Sequence, residues 1–144
     1  MIKKVSAFAA ALMLLFGVQA QSTKTQVRQR AEGSQSAQAQ IETLPVEAFA
    51  KRIASKGVVL VDVRSAKEFA DGHLKGATNI VWGDDFERQW NAVGIGKQTT
   101  VALYCRGGRR SKAAAEALAK MGYKVVNLDG GIMAWRKAGK PVAK

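Results

Sequence analysis

The segment TTVALYCRGGRRSKAAAEALAKMG, residues 99–122, sets a strand, a glycine- and arginine-rich turn and a helix in direct succession. Residues 99–104 form a short, mostly apolar run with β-branched members, the pattern of a strand buried on both faces of a parallel sheet. Residues 111–121 are rich in Ala, Leu, Lys and Glu, with Ala114, Ala117, Leu118 and Met121 at helical spacing and Gly122 placed as a stop. The turn between them delivers Cys105, the sole cysteine, to the N-terminus of that helix. Backbone N–H groups at such a terminus lack intrahelical partners and point at whatever occupies the turn. Gly107 and Gly108 let the chain curl without Cβ clashes, so several donors converge. A free thiol has a pKa of about 8.5, which a helix N-terminus and nearby cations lower to roughly 3.5–7.5. With Arg106, Arg109 and Arg110 beside it, Cys105 is expected to work as a thiolate. A cysteine at the end of an apolar strand is by default a packing residue. Three arginines around a thiol, however, are a poor way to build an apolar core.

Outward from this segment, strand and helix patterns alternate. Residues 45–54 read as an amphipathic helix, with Pro45 in its first turn and Val46, Phe49, Ala50 and Ile53 on one face. Residues 58–63 (VVLVDV) read as a buried strand, and Ser65 to Glu68 match a capping box opening a short helix. Residues 77–81 predict another strand and 84–92 a helix with two acids at its start, where the dipole favours them. Residues 124–128 give the last strand and 131–138 the last helix. Strands separated by helices imply an α/β fold whose parallel sheet is covered on both faces. Ligands of such sheets bind beyond the carboxyl ends of the strands, where Cys105 falls.

The chain has 144 residues and 47% hydrophobic content, enough for one packed domain. Its beginning differs in character. Lys3 and Lys4 precede an apolar run over 5–18, closed by Val18-Gln19-Ala20 with small residues where a signal peptidase reads. Residues 1–20 are therefore expected to be a signal peptide cleaved after Ala20, and the protein periplasmic or secreted. The run is 14 residues long, short of the roughly 20 a spanning helix needs, so no membrane span is expected after cleavage. Residues 21–40, rich in Gln, Ser, Ala, Thr and Arg without apolar period, predict a disordered linker. The folded domain is then 41–144. One cysteine in an exported protein makes no internal disulfide, so packing alone must hold the domain. Removing Lys3 and Lys4 takes the formal charge from +12 to +10, a balance compatible with nucleic acid, an anionic membrane surface or small anions, although most of the lysines read as a solvated face and only the three arginines beside Cys105 are focused. Nucleic acid is not an expected partner, because no alternation of stacking aromatics with basic residues is present.

These residues carry a resemblance. Val61-Asp62-Val63-Arg64-Ser65 with Glu68-Phe69, followed by Gly72-His73-Leu74 and Gly76-Ala77, is similar to the N-terminal signature of rhodanese domains. The loop from Cys105 to Ser111 resembles their active-site loop. Asp129-Gly130-Gly131, Ala134-Trp135 and Gly139-Lys140-Pro141 resemble their C-terminal signature. The resemblance implies a five-stranded parallel sheet with helices on both faces and a single-domain, exported sulfurtransferase. It implies that the Cys105 thiolate takes the sulfane sulfur of thiosulfate or a related small anionic donor, releases sulfite and passes the sulfur to a thiol or cyanide acceptor. The backbone of 106–111 would stabilise the persulfide, with Arg106, Gly107, Gly108, Arg109, Arg110 and Ser111 as the binding loop and Arg110 closing it. No metal or organic cofactor is implied. Asp62, Arg64 and Glu68 are expected to form a supporting hydrogen-bond and ion-pair network. His73, the only histidine, is expected to be structural. Trp82, Trp90 and Trp135 read as core or rim residues, with Trp82 placed where it could line the pocket.

Two alternatives stand beside this reading. Cysteine phosphatases space the cysteine and arginine as C-x5-R, whereas Cys105 to Arg110 is C-x4-R, a cradle better sized for sulfur than for phosphate. The other is a non-catalytic carrier of persulfide or anion, or a partner-binding module. The adjacency of Arg109 and Arg110 leaves open which of them faces the anion. Rhodanese domains often carry proline after the Asn-Ile pair; Val81 stands there in this chain.

Overall fold

The computed structural model describes residues 40–144, so the expected signal peptide and nearly all of the expected linker lie outside the described residues. Ten elements follow in strict alternation: β1 (Ile41–Leu44), α1 (Val46–Ile53), β2 (Val58–Asp62), α2 (Ala66–Asp71), β3 (Thr78–Asn79), α3 (Phe86–Val93), β4 (Thr100–Tyr104), α4 (Arg109–Lys120), β5 (Lys124–Leu128) and α5 (Gly131–Lys137). The strands form one five-stranded sheet in the order β1-β5-β4-β2-β3, and each pairing is parallel. The fold is α/β with a five-stranded parallel sheet.

Alternation along β2 and β4 builds a core on each face. Val61, Val63, Val101, Leu103 and Cys105 point one way, where Phe86 and Trp90 of α3 and Ala114, Ala115 and Leu118 of α4 cover them. Leu60, Ala102 and Tyr104 point the other way, beneath Phe49 of α1 and Ile132 and Trp135 of α5. Burying both faces of the central strands explains their continuous apolar runs.

Local chemistry sets the ends of the elements. Ser65 closes a full capping box on α2: its hydroxyl accepts from the Glu68 N–H at 3.3 Å, while the Glu68 carboxylate accepts from the Ser65 N–H at 3.0 Å. Pro45 stands one position earlier than expected, as the N-cap of α1 rather than in its first turn. β3 keeps two residues of the strand expected over 77–81, because its only partner in the sheet is the end of β2. α4 starts at Arg109 with Gly108 as its N-cap, two residues before the expected start. Arg109 and Arg110 thus belong to the helix's first turn, and the true loop shrinks to 105–108. Among the described residues no helix is long and apolar enough to cross a membrane.

Candidate active site

β2, β4 and β5 all end at one edge of the sheet, and the turns leaving them make the site. β4 passes directly into Cys105, which is only 1% exposed. Gly108, at φ +110°, reverses the chain so that its own N–H donates to Cys105 Sγ at 3.0 Å. The Ser111 hydroxyl, one turn into α4, lies 3.4 Å from the same sulfur and 3.2 Å from the Gly108 carbonyl. It has one proton to give, so an ionised sulfur and that carbonyl compete for it. Burial pushes the Cys105 thiol up. The Ser111 hydroxyl and the backbone N–H groups of Ser111, Gly108 and Gly107 outweigh burial and hold the thiol below its ordinary value.

The loop is held open from outside by α5. Ile132 N–H donates to the Cys105 carbonyl at 2.9 Å and Met133 N–H to the Arg106 carbonyl at 3.1 Å. Those carbonyls therefore face away from the sulfur, and the loop's N–H groups face toward it. The approach is possible because residue 131 is glycine: at its φ of +60° a Cβ would lie 2.4 Å from the Arg106 oxygen and 2.5 Å from the Cys105 oxygen. The Asp129-Gly130-Gly131 signature carried this signal, yet nothing local in the sequence says which carbonyls the glycine must clear.

The arginines separate into distinct roles. Arg110 grips Glu68 with both terminal nitrogens, at 2.8 and 2.9 Å. Those bonds, above all, hold the Glu68 carboxyl down at about 2, assisted by the Ser65 N–H and hydroxyl against the opposing effect of burial. Arg110 is raised in return by Glu68 first, and by the Cys105 charge among its smaller causes. Arg106 and Arg109 are exposed and pair with no carboxylate among the described residues. Arg110 is thus the arginine electrostatically tied to the thiolate, and the three expected cations do not converge.

The supporting network is present as two separate pairs. Arg64 binds Asp62 inside the protein, Nη2 to Oδ2 at 2.7 Å, and donates to the Gly72 carbonyl at 2.6 Å. Burial alone would lower Arg64, and the Asp62 carboxylate more than restores it. The Arg64 guanidinium also lies 5.7 Å above the Tyr104 ring, and the Tyr104 hydroxyl accepts from the Leu74 N–H at 3.0 Å. Burial and then Asp62 push the Tyr104 phenol upward, so it stays neutral. Glu68 belongs instead to the Arg110 pair, on α2. His73 stacks on Phe69 at 3.9 Å, and its Nδ1 lies 2.9 Å from the Phe69 carbonyl, which makes it the anchor of α2's end. Trp82 packs half-buried on the Cys105 side of the core, edge-on to Phe86. Val81 uses the N–H that proline lacks to donate to Gln89 Oε1 at 3.3 Å.

Known proteins share this architecture. The chain is 35% identical over 104 residues to a sulfurtransferase of Allochromatium vinosum, covering 71% of this chain and 94% of that protein. It is 40% identical over 72 residues to the thiosulfate sulfurtransferase PspE of Escherichia coli, covering 50% of this chain and 68% of that one. The crystal structure of a rhodanese-related protein from Thermoplasma volcanium superposes with a TM-score of 0.63 at 27% identity, over 71% of this chain and 97% of that chain. The model of the rhodanese-like domain matches residues 45–138, a span that runs from the cap of α1 through the loop around Cys105 to the end of α5, and the chain therefore belongs to the rhodanese-like domain family.

Proposed function

We propose that this protein is a sulfurtransferase that carries sulfane sulfur on Cys105. The observation that bears most weight is the sulfur's setting: an acceptor of N–H and O–H hydrogen bonds at 3.0 and 3.4 Å, with its thiol lowered in spite of burial. In the first half-reaction the Cys105 thiolate attacks the outer sulfur of thiosulfate. A new S–S bond forms, the bond to the sulfonate sulfur breaks, and sulfite leaves with the electron pair. The persulfide's outer sulfur then stands about 2.05 Å beyond Sγ, toward the mouth of the loop, where an acceptor can reach it. Loop amides stabilise its charge as an oxyanion hole does, and Arg110 spreads positive potential over the same space. In the second half-reaction the acceptor, a thiolate or cyanide, bonds to that outer sulfur and the pair from the broken S–S bond returns to Cys105. Named sulfurtransferases among the relatives support the reaction class. The leader-like residues 1–20 support export, with the periplasm or the exterior as the place of work and 21–40 as a linker.

The test is intact mass after exposure to thiosulfate, followed by steady-state transfer to cyanide. The proposal expects a gain of one sulfur on the native chain, none on Cys105→Ser, and turnover that Cys105→Ser abolishes. Persulfide formation without repeated cycling would instead make the protein a carrier, and no sulfur gain at all would overturn the reading.

A further inference from the structure

The edge of the sheet opposite the site collects positive charge. The strands start there together, with Val58, Thr100 and Lys124 in register, and the helices that cross back from the site finish there. Lys51 and Arg52 lie in the last turn of α1, Lys120 in the last turn of α4, Lys56 just before β2 and Lys97 just before β4, while Lys124 opens β5. The Lys97 ammonium is 3.9 Å from where a Cβ on Gly122 would stand, which sets it beside the turn joining Lys120 to Lys124. These five lysines are exposed, and none pairs with a carboxylate among the described residues. Glu42 is the one acid described at this edge, and Arg52 takes up its charge at 2.9 Å. Acids gather instead at the site end, with Glu47 opening α1, Asp84, Asp85 and Glu87 around the start of α3, and Asp129 after β5. The helix dipole favours cations at helix C-termini, which accounts for Lys51, Arg52 and Lys120. It does not account for Lys56, Lys97 or Lys124, which lie in turns or at the start of a strand.

Val93, the last residue of α3, is 50% exposed a few residues before Lys97, so an apolar side chain stands at the same edge. The chain also joins the domain here. The Gln40 carbonyl accepts from the Val125 N–H at 2.9 Å, and residues 21–39 carry Lys24, Arg28 and Arg30 against Glu32. No aromatic side chain among the described residues is exposed at this edge, Tyr123 being buried, so nothing there stacks on a base. Dispersed lysines around one exposed aliphatic residue suit anionic lipid headgroups, which attract basic residues and admit an apolar one. We infer that the edge holding Lys97 and Lys124 is a docking face for an anionic phospholipid surface, with Val93 entering the headgroup layer and Cys105 facing away from it. The five residues of β4 set the two ends about 17 Å apart, beyond the roughly 8–10 Å over which salt leaves charge unscreened. The lipid charge therefore does not repel an anion approaching Cys105. The inference stands apart from the sulfur-transfer reading.

The test uses residues 21–144, which keep the whole packed domain and leave out the apolar run that would bind lipid by itself. Co-sedimentation is measured with vesicles of phosphatidylglycerol and phosphatidylethanolamine in about equal parts, and with vesicles of phosphatidylcholine alone. Binding to the anionic vesicles that weakens with added salt, and none to phosphatidylcholine, is expected. Lys97→Gln together with Lys124→Gln should weaken binding about twentyfold, whereas Lys67→Gln together with Lys75→Gln, the same loss of charge on α2 and in the turn after it, should change it by less than about twofold. An unchanged denaturation midpoint in both double variants shows that the fold is kept. Equal losses in the two would mean that net charge rather than a face binds, and with an absence of binding to anionic vesicles they overturn the inference. Binding to polyglutamate or duplex DNA through Lys97 and Lys124, without binding to vesicles, assigns the face to another polyanion and overturns it as well. Alkylation of Cys105 by iodoacetamide should proceed at one rate with and without vesicles, and protection of the thiol by the anionic vesicles would overturn the orientation.

Discussion

A single hydroxyl decides much of the chemistry of Cys105. Burial opposes ionisation of a sulfur that is 1% exposed, and hydrogen bonds must overcome that opposition. The Ser111 hydroxyl is the largest of the favourable contributions, and it is a donor that substitution can remove, whereas the backbone amides cannot be removed. A hydrogen bond to a charged group is worth about 1.5–3 kcal/mol, and a pKa unit corresponds to about 1.4 kcal/mol. Ser111→Ala should therefore raise the thiol's pKa, and the rate on the acid limb at a fixed pH should fall by about tenfold or more. Because the thiolate is the reacting form, the acid limb of the pH–rate profile moves to higher pH with it, and the rate at high pH stays near its native value. Alkylation rate and ultraviolet thiolate absorbance, each followed against pH, read the shift directly. An unchanged profile would mean that the backbone amides suffice. Cys105 and Ser111 were both legible from the sequence because the strand pattern that ends before Cys105 and the helix pattern that begins at Ser111 bracket one short turn. That Arg110 rather than Arg109 answers the thiolate was not, since its partner Glu68 lies 42 residues away.

Between elements, Glu68 is the fastening. It closes the capping box of α2 and, through Arg110, ties that helix to the first turn of α4. Its carboxyl is held at about 2, below its ordinary value of 4.5. A carboxylate depressed by folding contributes stability that is complete above its unfolded pKa and disappears as pH falls through its folded one. The contribution of Glu68 is thus present near neutrality and lost between about 4.5 and about 2. The pair is a third exposed on each side, so solvent screening holds its worth to about 1 kcal/mol. Glu68→Gln should lower stability by about that amount near neutrality, and chemical denaturation should show the difference from the native chain closing as the acid window is crossed. A difference that persists at the acid end would mean packing, not charge, carries the link. The capping box itself was legible, being a pattern four residues long. The start of α4 was not: Arg109 and Arg110 lie off the apolar stripe, and the N-cap is a glycine with no side chain to announce it. β1 escaped pattern reading for a related reason, since a four-residue edge strand with only Ile41 and Leu44 half-buried has too short a period to register.

Across the whole molecule, sites at one edge of a sheet depend on turns that the sheet itself does not hold. The C-terminal segment supplies part of that hold. Ala143 and His73 exchange backbone hydrogen bonds in an antiparallel bridge, His73 N–H to the Ala143 carbonyl at 2.9 Å and Ala143 N–H to the His73 carbonyl at 2.7 Å. Trp135 Nε1–H reaches the Pro141 carbonyl at 3.0 Å and turns the chain back toward that bridge. The bridged residue adjoins Gly72, whose carbonyl receives Arg64, so the last residues brace the turn that the buried Asp62–Arg64 pair relies on. Nothing in the local sequence around 140–144 announces this, because a pair of bonds 70 residues apart leaves no period. Deleting 142–144 removes both bonds, each worth about 0.5–1.5 kcal/mol net. The truncated protein should lose about 1–3 kcal/mol in chemical denaturation, and amide exchange should quicken at His73 while the N–H groups of β4 exchange no faster than that global loss allows. Exchange that quickened equally at His73 and along β4, with no selective opening at the bridge, would show that the segment acts on the fold as a whole rather than as a local brace of the Arg64 turn.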